Sequence, residues 1–393
     1  MNILYILSNR LPTEKAQGYQ SIKMIEAFSE NNIVSAFYPN RKNSDEMKRV
    51  SDIFEYYSIK KKFSLKKISC LDLSLLKKLK LYRLWFFIYS ISYVLYSLLS
   101  FFKIRKEIDV IYSRSIFAVY FFSIFYKIKI VYEIHTFPRK KRSFRFKVAK
   151  RADKVIVITN KLKKLYVEAG IEEQKILVEP DAVDLEQFDI KLSKNEARKK
   201  LNISESIKIA SFIGNFHTME MEKGIPDIIE SAKYLLDEFK ELFFYFVGGP
   251  IEREAKYRKI IEENNLSQER FLFFKRQPVK DIPIWLKASD ILLMPHPKNV
   301  FYSYYVSPLK MFEYMASKRP IVGSKLPAIE EILKDRENAL LGIPDNPKSI
   351  ADNIRNLLID DRLSFDLANN AYKKVKDYTW EKRAKRIVDF IKL

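Results

Sequence analysis

The feature that most constrains this chain is a repeated alternation of short apolar runs with amphipathic stretches. NILYIL (2–7), IVSAFYP (33–39), DVIYSR (109–114), IKIVYEIH (128–135) and KVIVIT (154–159) read as strands. Residues 14–31, between the first two, put Ile22, Ile25 and Phe28 on one side of a helix. The second half repeats the pattern with IKIASFIG (207–214), LFFYFVGG (242–249), RFLFFK (270–275), DILLMP (290–295), PIVGS (320–324) and ALLGIP (339–344). Strands apolar on both faces and separated by helices belong to covered parallel sheets. Between the two series lies VEPDAVDLEQF (178–188), broken by Pro180 and acidic residues, with a linker expected from there to about residue 205. A chain of 393 residues is too long for one ordinary core. The expectation is two doubly wound α/β domains, residues 1–190 and 205–376.

Charge is spread unevenly over this frame. The net charge is +22, and residues 41–151 alone hold 27 Lys+Arg against 8 Asp+Glu. Such a field attracts a polyanion, whether nucleic acid, an anionic bilayer or an acidic substrate; the alternative is lysine on solvated faces. Inside the basic segment, residues 84–102 carry no charge and approach the length of a bilayer span. Strands assigned to one sheet lie on both sides of this stretch, which argues against a crossing. It is expected to pack inside the first domain or to dip into a membrane interface, helped by nine basic residues over 60–83 and by Lys103, Arg105 and Lys106. The single cysteine, Cys70, fits a reducing compartment, and the N-terminus MNILYILSNR lacks the basic start of a secretory leader. The location expected is cytoplasmic, peripheral at the inner face of the plasma membrane.

Ligands of doubly wound sheets bind at the carboxyl ends of the strands, and several candidates follow strands here. In FIGNFHTMEMEKGI (212–225), Gly214 ends a strand and Lys223-Gly224 opens a helix, where a lysine either meets a phosphate or stays solvated. The richest stretch is SPLKMFEYMASKRPIVGS (307–324). Ser307 is placed to cap a helix and Pro308 to occupy its first position. The free amides of Leu309 and Lys310 then favour an anion, and Lys310 adds a full charge. Glu313 lies one turn further in, where it either accepts hydrogen bonds from a vicinal diol or pairs with Lys310. Anion above and diol beside outline a nucleoside diphosphate with its ribose. The other polar candidates are less committed. His135, His217 and His296 each read either as a site group or as a packed histidine, and the aromatic run 301–305 reads either as lining a sugar site or as packing under a helix.

These residues resemble the family 4 glycosyltransferases of the GT-B fold. The resemblance runs through LPTEKAQGYQSIKMIEAF, VYEIHTFP, VEPDAVDLEQF, FIGNF…EKGI, FVGG, IPIWLKASDILLMPHP, SPLKMFEYMASKRPIVGS and YTWEKRAKRIVDFIKL, in the family's order. It implies two Rossmann-like domains facing an interdomain cleft, with the last helix, 379–393, packing back on the first. It also implies transfer of a sugar, with retention, from a nucleotide-diphosphate sugar bound by the second domain to an acceptor hydroxyl held by the first. By that likeness Glu313 holds the ribose. Gly214, Asn215, Ser307, Leu309 and Lys310 hold the diphosphate, which Lys223 neutralises. His135 stands near the donor sugar, the loop around Gly18 approaches donor and acceptor, and Arg276 lies beside the base. The departing phosphate itself takes the acceptor proton in such a mechanism, so no separate general base is required. Nor is a metal or other cofactor expected, since lysines neutralise the charge and no clustered His/Asp ligand set stands out. The partners implied are a nucleotide sugar, a glycan or lipid-linked acceptor and an anionic membrane surface.

Two positions depart from the family's pattern. Tyr305 stands where a second glutamate commonly touches the sugar, and Asn215 where an arginine commonly follows the glycine. They leave open a noncatalytic relative that binds membrane or a partner enzyme, and Lys310 is a candidate to replace the lost positive charge. A nucleic-acid binder is a third reading, from charge alone, and is not favoured because no binding module is present. A sugar-nucleotide epimerase is a fourth, disfavoured by the form of the 307–324 stretch.

Overall fold

The computed structural model describes residues 1–138 and 143–393. Its strands, in chain order, are β1 (Asn2–Ile6), β2 (Ile33–Pro39), β3 (Ser64–Ile68), β4 (Val110–Ser113), β5 (Lys129–Ile134), β6 (Lys154–Val157), β7 (Ile176–Val178), β8 (Lys208–Asn215), β9 (His217–Thr218), β10 (Met221–Glu222), β11 (Leu242–Gly249), β12 (Phe271–Phe274), β13 (Ile291–Met294), β14 (Ile321–Ser324) and β15 (Leu340–Gly342). Every apolar run expected as a strand is one. The short strands β3 and β7 and the β9–β10 hairpin carry too weak a pattern to read. β3, SLKKI, buries only its last residue and lies at a sheet edge.

The chain divides into two compact units, Met1–Pro180 with Trp380–Leu393, and Asp181–Thr379. The first unit's sheet runs β3-β2-β1-β4-β5-β6-β7 and the second's β12-β11-β8-β13-β14-β15. All pairings within both sheets are parallel. In each sheet the order reverses beside the unit's first strand, between β1 and β4 and between β8 and β13. That reversal creates the crevice where such folds bind ligands.

The division differs from the linker expected between the series. Residues 181–204 belong to the second unit, and the helix Lys194–Lys200 shows why. Ser193 and Glu196 close a capping box at its start. Arg198 is buried, bonding Asp290 Oδ2 at 2.6 Å and the carbonyls of Ala288 and Ile207 at 3.0 and 2.9 Å. A charge paired this thoroughly ties the segment to the sheet. At the other end, the helix Trp380–Lys392 belongs to the first unit. Lys129 Nζ donates to Ile391 O at 2.7 Å, and Arg386 pairs with Glu179 at 2.7 Å.

The uncharged stretch becomes the helix Tyr82–Phe102. By length and composition it is the one helix among the described residues able to cross a membrane. One face is buried through Tyr89, Tyr93, Val94, Ser97, Leu98 and Phe101, and Tyr93 Oη donates to Phe37 O on β2 at 2.9 Å. The other face exposes Leu84, Phe87, Leu95, Leu99 and Phe102. Strands before and after it pair directly, β1 with β4.

Candidate functional site

In the second unit the crevice is built from the ends of β8 and β13. Gly214 near the end of β8 has φ +131, and a Cβ there would lie 3.1 Å from Lys310 Cε and Nζ. Gly224 opens the helix Ile225–Ser231 with φ +81, and a Cβ there would sit 1.8 Å from Pro295 O, just after β13. Only glycine allows that approach. The Lys223 charge, just before this glycine, is felt by both His296 and Lys310.

The helix Leu309–Ala316 begins without a side-chain cap, with Pro308 rather than Ser307 at the capping position. The expected Ser307 cap is therefore not formed. Instead Ser307 Oγ accepts from the Asp181 amide at 2.8 Å, fastening the start of the unit to this loop. The first amides of a helix have no intrahelical acceptors, so those of Leu309 and Lys310 stay available to a ligand.

Lys310 is buried, and its Nζ has no hydrogen-bond partner among the described residues. The alternative of an ion pair with Glu313 is not what the helix forms. The ammonium lies 3.4 Å from the centroid of the Phe212 ring, a cation–π contact. Burial holds the Lys310 pKa well below that of an ordinary lysine, the Lys223 charge adds to the depression, and Glu313 opposes it. Burial likewise lowers Lys223 to about 8. Glu313, half-buried, is pushed up to about 7 by desolvation against the pull of Lys310. His296 is buried flat against Tyr302, ring centroids 4.7 Å apart, and is kept neutral by burial and by both lysines. Lys310 and Lys223 lie close enough to repel each other, and neither forms an ion pair among the described residues, which is the electrostatic form of an anion site.

The remaining second-unit candidates fall around this centre. Asn215 is exposed at the tip of β8. Arg276 is exposed beyond the end of β12, two strands from β8 along the same sheet edge. Tyr305 closes the short helix Val300–Tyr304. Phe301 and Tyr302 pack into the core, so the packing alternative holds for them. His217 is taken up by Glu222 at 3.0 Å and Arg253 at 2.9 Å. A wide surface depression of about 560 Å³ lies at the opposite end of the sheet, beside Ile207, Phe243 and Arg270, away from these groups.

In the first unit His135 follows β5. Its Nε2 lies 2.6 Å from Glu133 Oε1. Glu133 is fully buried and is the network's hub: it accepts from Gln20 Nε2 at 2.9 Å, from Arg383 at 3.2 Å and from Tyr112 Oη. Burial alone would raise its pKa, but Arg383, His135 and Arg114 outweigh it and hold the carboxylate well below its usual range. Glu133 escaped the sequence reading. Its signal was present, as the only charge in the buried run IVYEI. Gly18 lies within the first turn of the helix Ala16–Ser29, where an added Cβ would meet Thr13 Cγ2 at 2.2 Å and Tyr57 Oη at 2.9 Å.

The profile described as "Glycosyl transferases group 1" matches residues 193–374, and that described as "Glycosyltransferase Family 4" matches residues 75–187. The chain belongs to the family 4 glycosyltransferases. A D-inositol 3-phosphate glycosyltransferase of Corynebacterium urealyticum is 24% identical over 265 residues, covering 65% of this chain and 60% of the relative. An Escherichia coli UDP-Gal:alpha-D-GlcNAc-diphosphoundecaprenol alpha-1,3-galactosyltransferase is 25% identical over 61% of this chain and 60% of its own length. The matched part of this family 4 chain thus spans about 60% of each of these two relatives. Two solved structures share its GT-B fold end to end. Anabaena HepE in complex with UDP-glucose has a TM-score of 0.74 at 16% identity, covering 100% of this chain and 99% of that one. Sucrose-phosphate synthase from Thermosynechococcus elongatus has a TM-score of 0.75 at 16% identity, covering 100% and 98%.

Proposed function

We propose that this chain transfers a sugar from a nucleotide-diphosphate sugar to an acceptor hydroxyl, with retention at the anomeric carbon, in lipid-linked or surface glycan synthesis. One observation carries the reading. Two desolvated lysines that repel each other, with no ion pair among the described residues, share a crevice with the start of an uncapped helix that carries Lys310, and a carboxylate lies one turn inside it. A diphosphate satisfies the lysines and the amides of Leu309 and Lys310, with the Ser307 hydroxyl beside them. Glu313 takes the ribose hydroxyls, and Arg276 lies towards the base. Asn215 leaves a positive charge missing at the end of β8, and the Lys310 ammonium beside Gly214 replaces it. As the leaving diphosphate gains charge, preorganised amides and ammonium groups stabilise it. The departing phosphate oxygen takes the acceptor proton, and neither a metal nor another cofactor is required. His135, braced by Glu133, is the first unit's candidate group for the reaction. The enzyme works at the cytoplasmic side of the membrane, held to anionic lipid by its basic first unit.

Thermal stabilisation by a panel of nucleotide sugars, UDP-glucose among them, tests the site. Glu313→Ala is expected to weaken binding at least about tenfold, as loss of a charged hydrogen bond worth ~1.5–3 kcal/mol requires, while the protein stays folded. An unchanged shift would reject the assignment. NMR of the product's anomeric proton tests retention. Tyr305, in place of the family's second glutamate, favours a second reading as a noncatalytic nucleotide-sugar binder. Donor binding without transfer to any acceptor would select it.

A further inference from the structure

A separate place for a ligand lies at the first unit's own crevice. The chain after β1, from Ser8 to Thr13, and the turn after β4, at Arg114 and Ser115, line a cavity of about 380 Å³. Arg10, Lys15, Arg41, Arg114 and Arg145 contribute to its lining, and no lining residue is acidic. Two of the five have a carboxylate nearby, Arg10 with Glu14 at 2.7 Å and Arg41 with Asp72 at 4.0 Å. Arg114 donates to the neutral Gln20 Oε1 at 2.7 Å, and Arg145 to Thr136 Oγ1 at 2.6 Å. Arg114 also feels Glu133, but Arg383 already lies 3.2 Å from that carboxylate. The cavity therefore holds more positive charge than its surroundings neutralise. Forked guanidinium groups around a hydroxyl-bearing floor suit phosphate oxygens.

The other wall is aromatic. Trp85, Phe86, Tyr89 and Phe117 line it, and the Arg41 guanidinium lies 4.6 Å from the Trp85 ring and 4.3 Å from that of Tyr89. Phe117 lies 6.2 Å from Phe86 and 5.9 Å from Phe87, centroid to centroid. Beyond Phe87 the apolar surface continues along the exposed face of the 82–102 helix through Leu95, Leu99 and Phe102. A water-soluble phosphate compound would use the arginines and leave this exposed strip unexplained. An amphiphile uses both.

We infer that this cavity takes the phosphate or diphosphate of a lipid-linked acceptor, whose hydrocarbon chain runs along the exposed face of the 82–102 helix. The inference rests on the transferase reading above and names the chemical class of its acceptor. It gives the uncharged helix and the basic residues around it one joint task.

Farnesyl diphosphate, farnesol and inorganic pyrophosphate serve as probes of the full chain. Trp85 reports their binding by fluorescence, because Trp285 and Trp380 are buried. Farnesyl diphosphate is expected to bind at least tenfold more tightly than either fragment. The double substitution Arg114→Gln/Arg145→Gln should weaken it at least tenfold. Leu95→Gln/Leu99→Gln should weaken farnesyl diphosphate and leave pyrophosphate unchanged. Equal binding of pyrophosphate and farnesyl diphosphate would assign the cavity to a soluble phosphorylated compound and overturn the lipid part. Farnesyl diphosphate bound no better than farnesol, or indifferent to the arginine substitutions, would overturn the site. Stabilisation by UDP-glucose, measured on the same preparations, separates the two proposals. If it persists while farnesyl diphosphate fails, only the acceptor inference falls; if it alone is lost, only the donor reading falls.

Discussion

The two units bury charge in similar parallel sheets and treat it in opposite ways. Within β5, Glu133 has every neighbour it needs: Gln20, Tyr112, His135 and Arg383. Beyond β8, Lys310 has an aromatic face and no hydrogen-bond partner among the described residues, with a second lysine raising its cost. The first arrangement is complete in the free protein and fixes a geometry. The second is strained until an anion arrives. A buried charge alone does not mark a ligand site, but a buried charge left unmatched does.

This contrast predicts substitutions of opposite sign. The largest effect belongs to the completed network. Glu133→Gln removes the carboxylate that the buried Arg383 faces at 3.2 Å and should destabilise the protein by about 3–5 kcal/mol in urea unfolding. A loss below about 1 kcal/mol would show that the network is not what holds this region. Lys310→Met should do the reverse, stabilising the ligand-free protein by about 1–3 kcal/mol as a buried amine with no hydrogen-bond partner among the described residues is removed. The same variant should bind UDP-glucose at least about tenfold more weakly. Greater stability with undiminished binding would remove Lys310 from the donor site.

The next effect is on pH dependence. A bound diphosphate favours charged Lys223, whose pKa is about 8 in the free protein, so donor affinity should fall as pH rises beyond 8. Ribose hydroxyls donate to ionised Glu313, with a pKa of about 7, so affinity should also fall as pH drops below 7. Calorimetry from pH 5.5 to 9.5 should give a maximum between these values, and a flat profile would dismiss both groups. Folding stability should respond separately. Because the Glu313 pKa is raised on folding, its contribution is fully present below about pH 4.5 and lost as pH rises through 7, so Glu313→Gln should exceed wild type in stability at pH 8 and match it near pH 4. The smallest effect is expected at His217, already held by Glu222 and Arg253. His217→Gln should change donor affinity less than about twofold, in keeping with a side chain outside the anion-binding set.

Much of this molecule was legible in the linear chain. Each short apolar run read as a strand is one, because a doubly covered parallel sheet requires such residues on both faces, and that demand is local. The helix after Pro308 and the glycine before Ile225 were likewise visible, since helix starts and left-handed turns carry short-range signatures. The short strand β3 was not, because an edge strand with one buried residue shows little periodicity. Ser307 looked like a cap by its spacing, yet its oxygen accepts from Asp181, 126 residues away in sequence.

The amino-acid order by itself set the two parallel sheets, the helix that presents Lys310 and Glu313, and the apolar helix at 82–102. Only tertiary structure decided which charges are matched. Lys310 and Glu313 are three residues apart and could have paired, but the pocket wall formed by Phe212 and Gly214 holds the ammonium elsewhere. Glu133 and Arg383 are 250 residues apart and do pair. The reason is physical: hydrophobic periodicity is a local property of the chain, whereas the solvation and partners of a buried charge depend on every segment that closes over it.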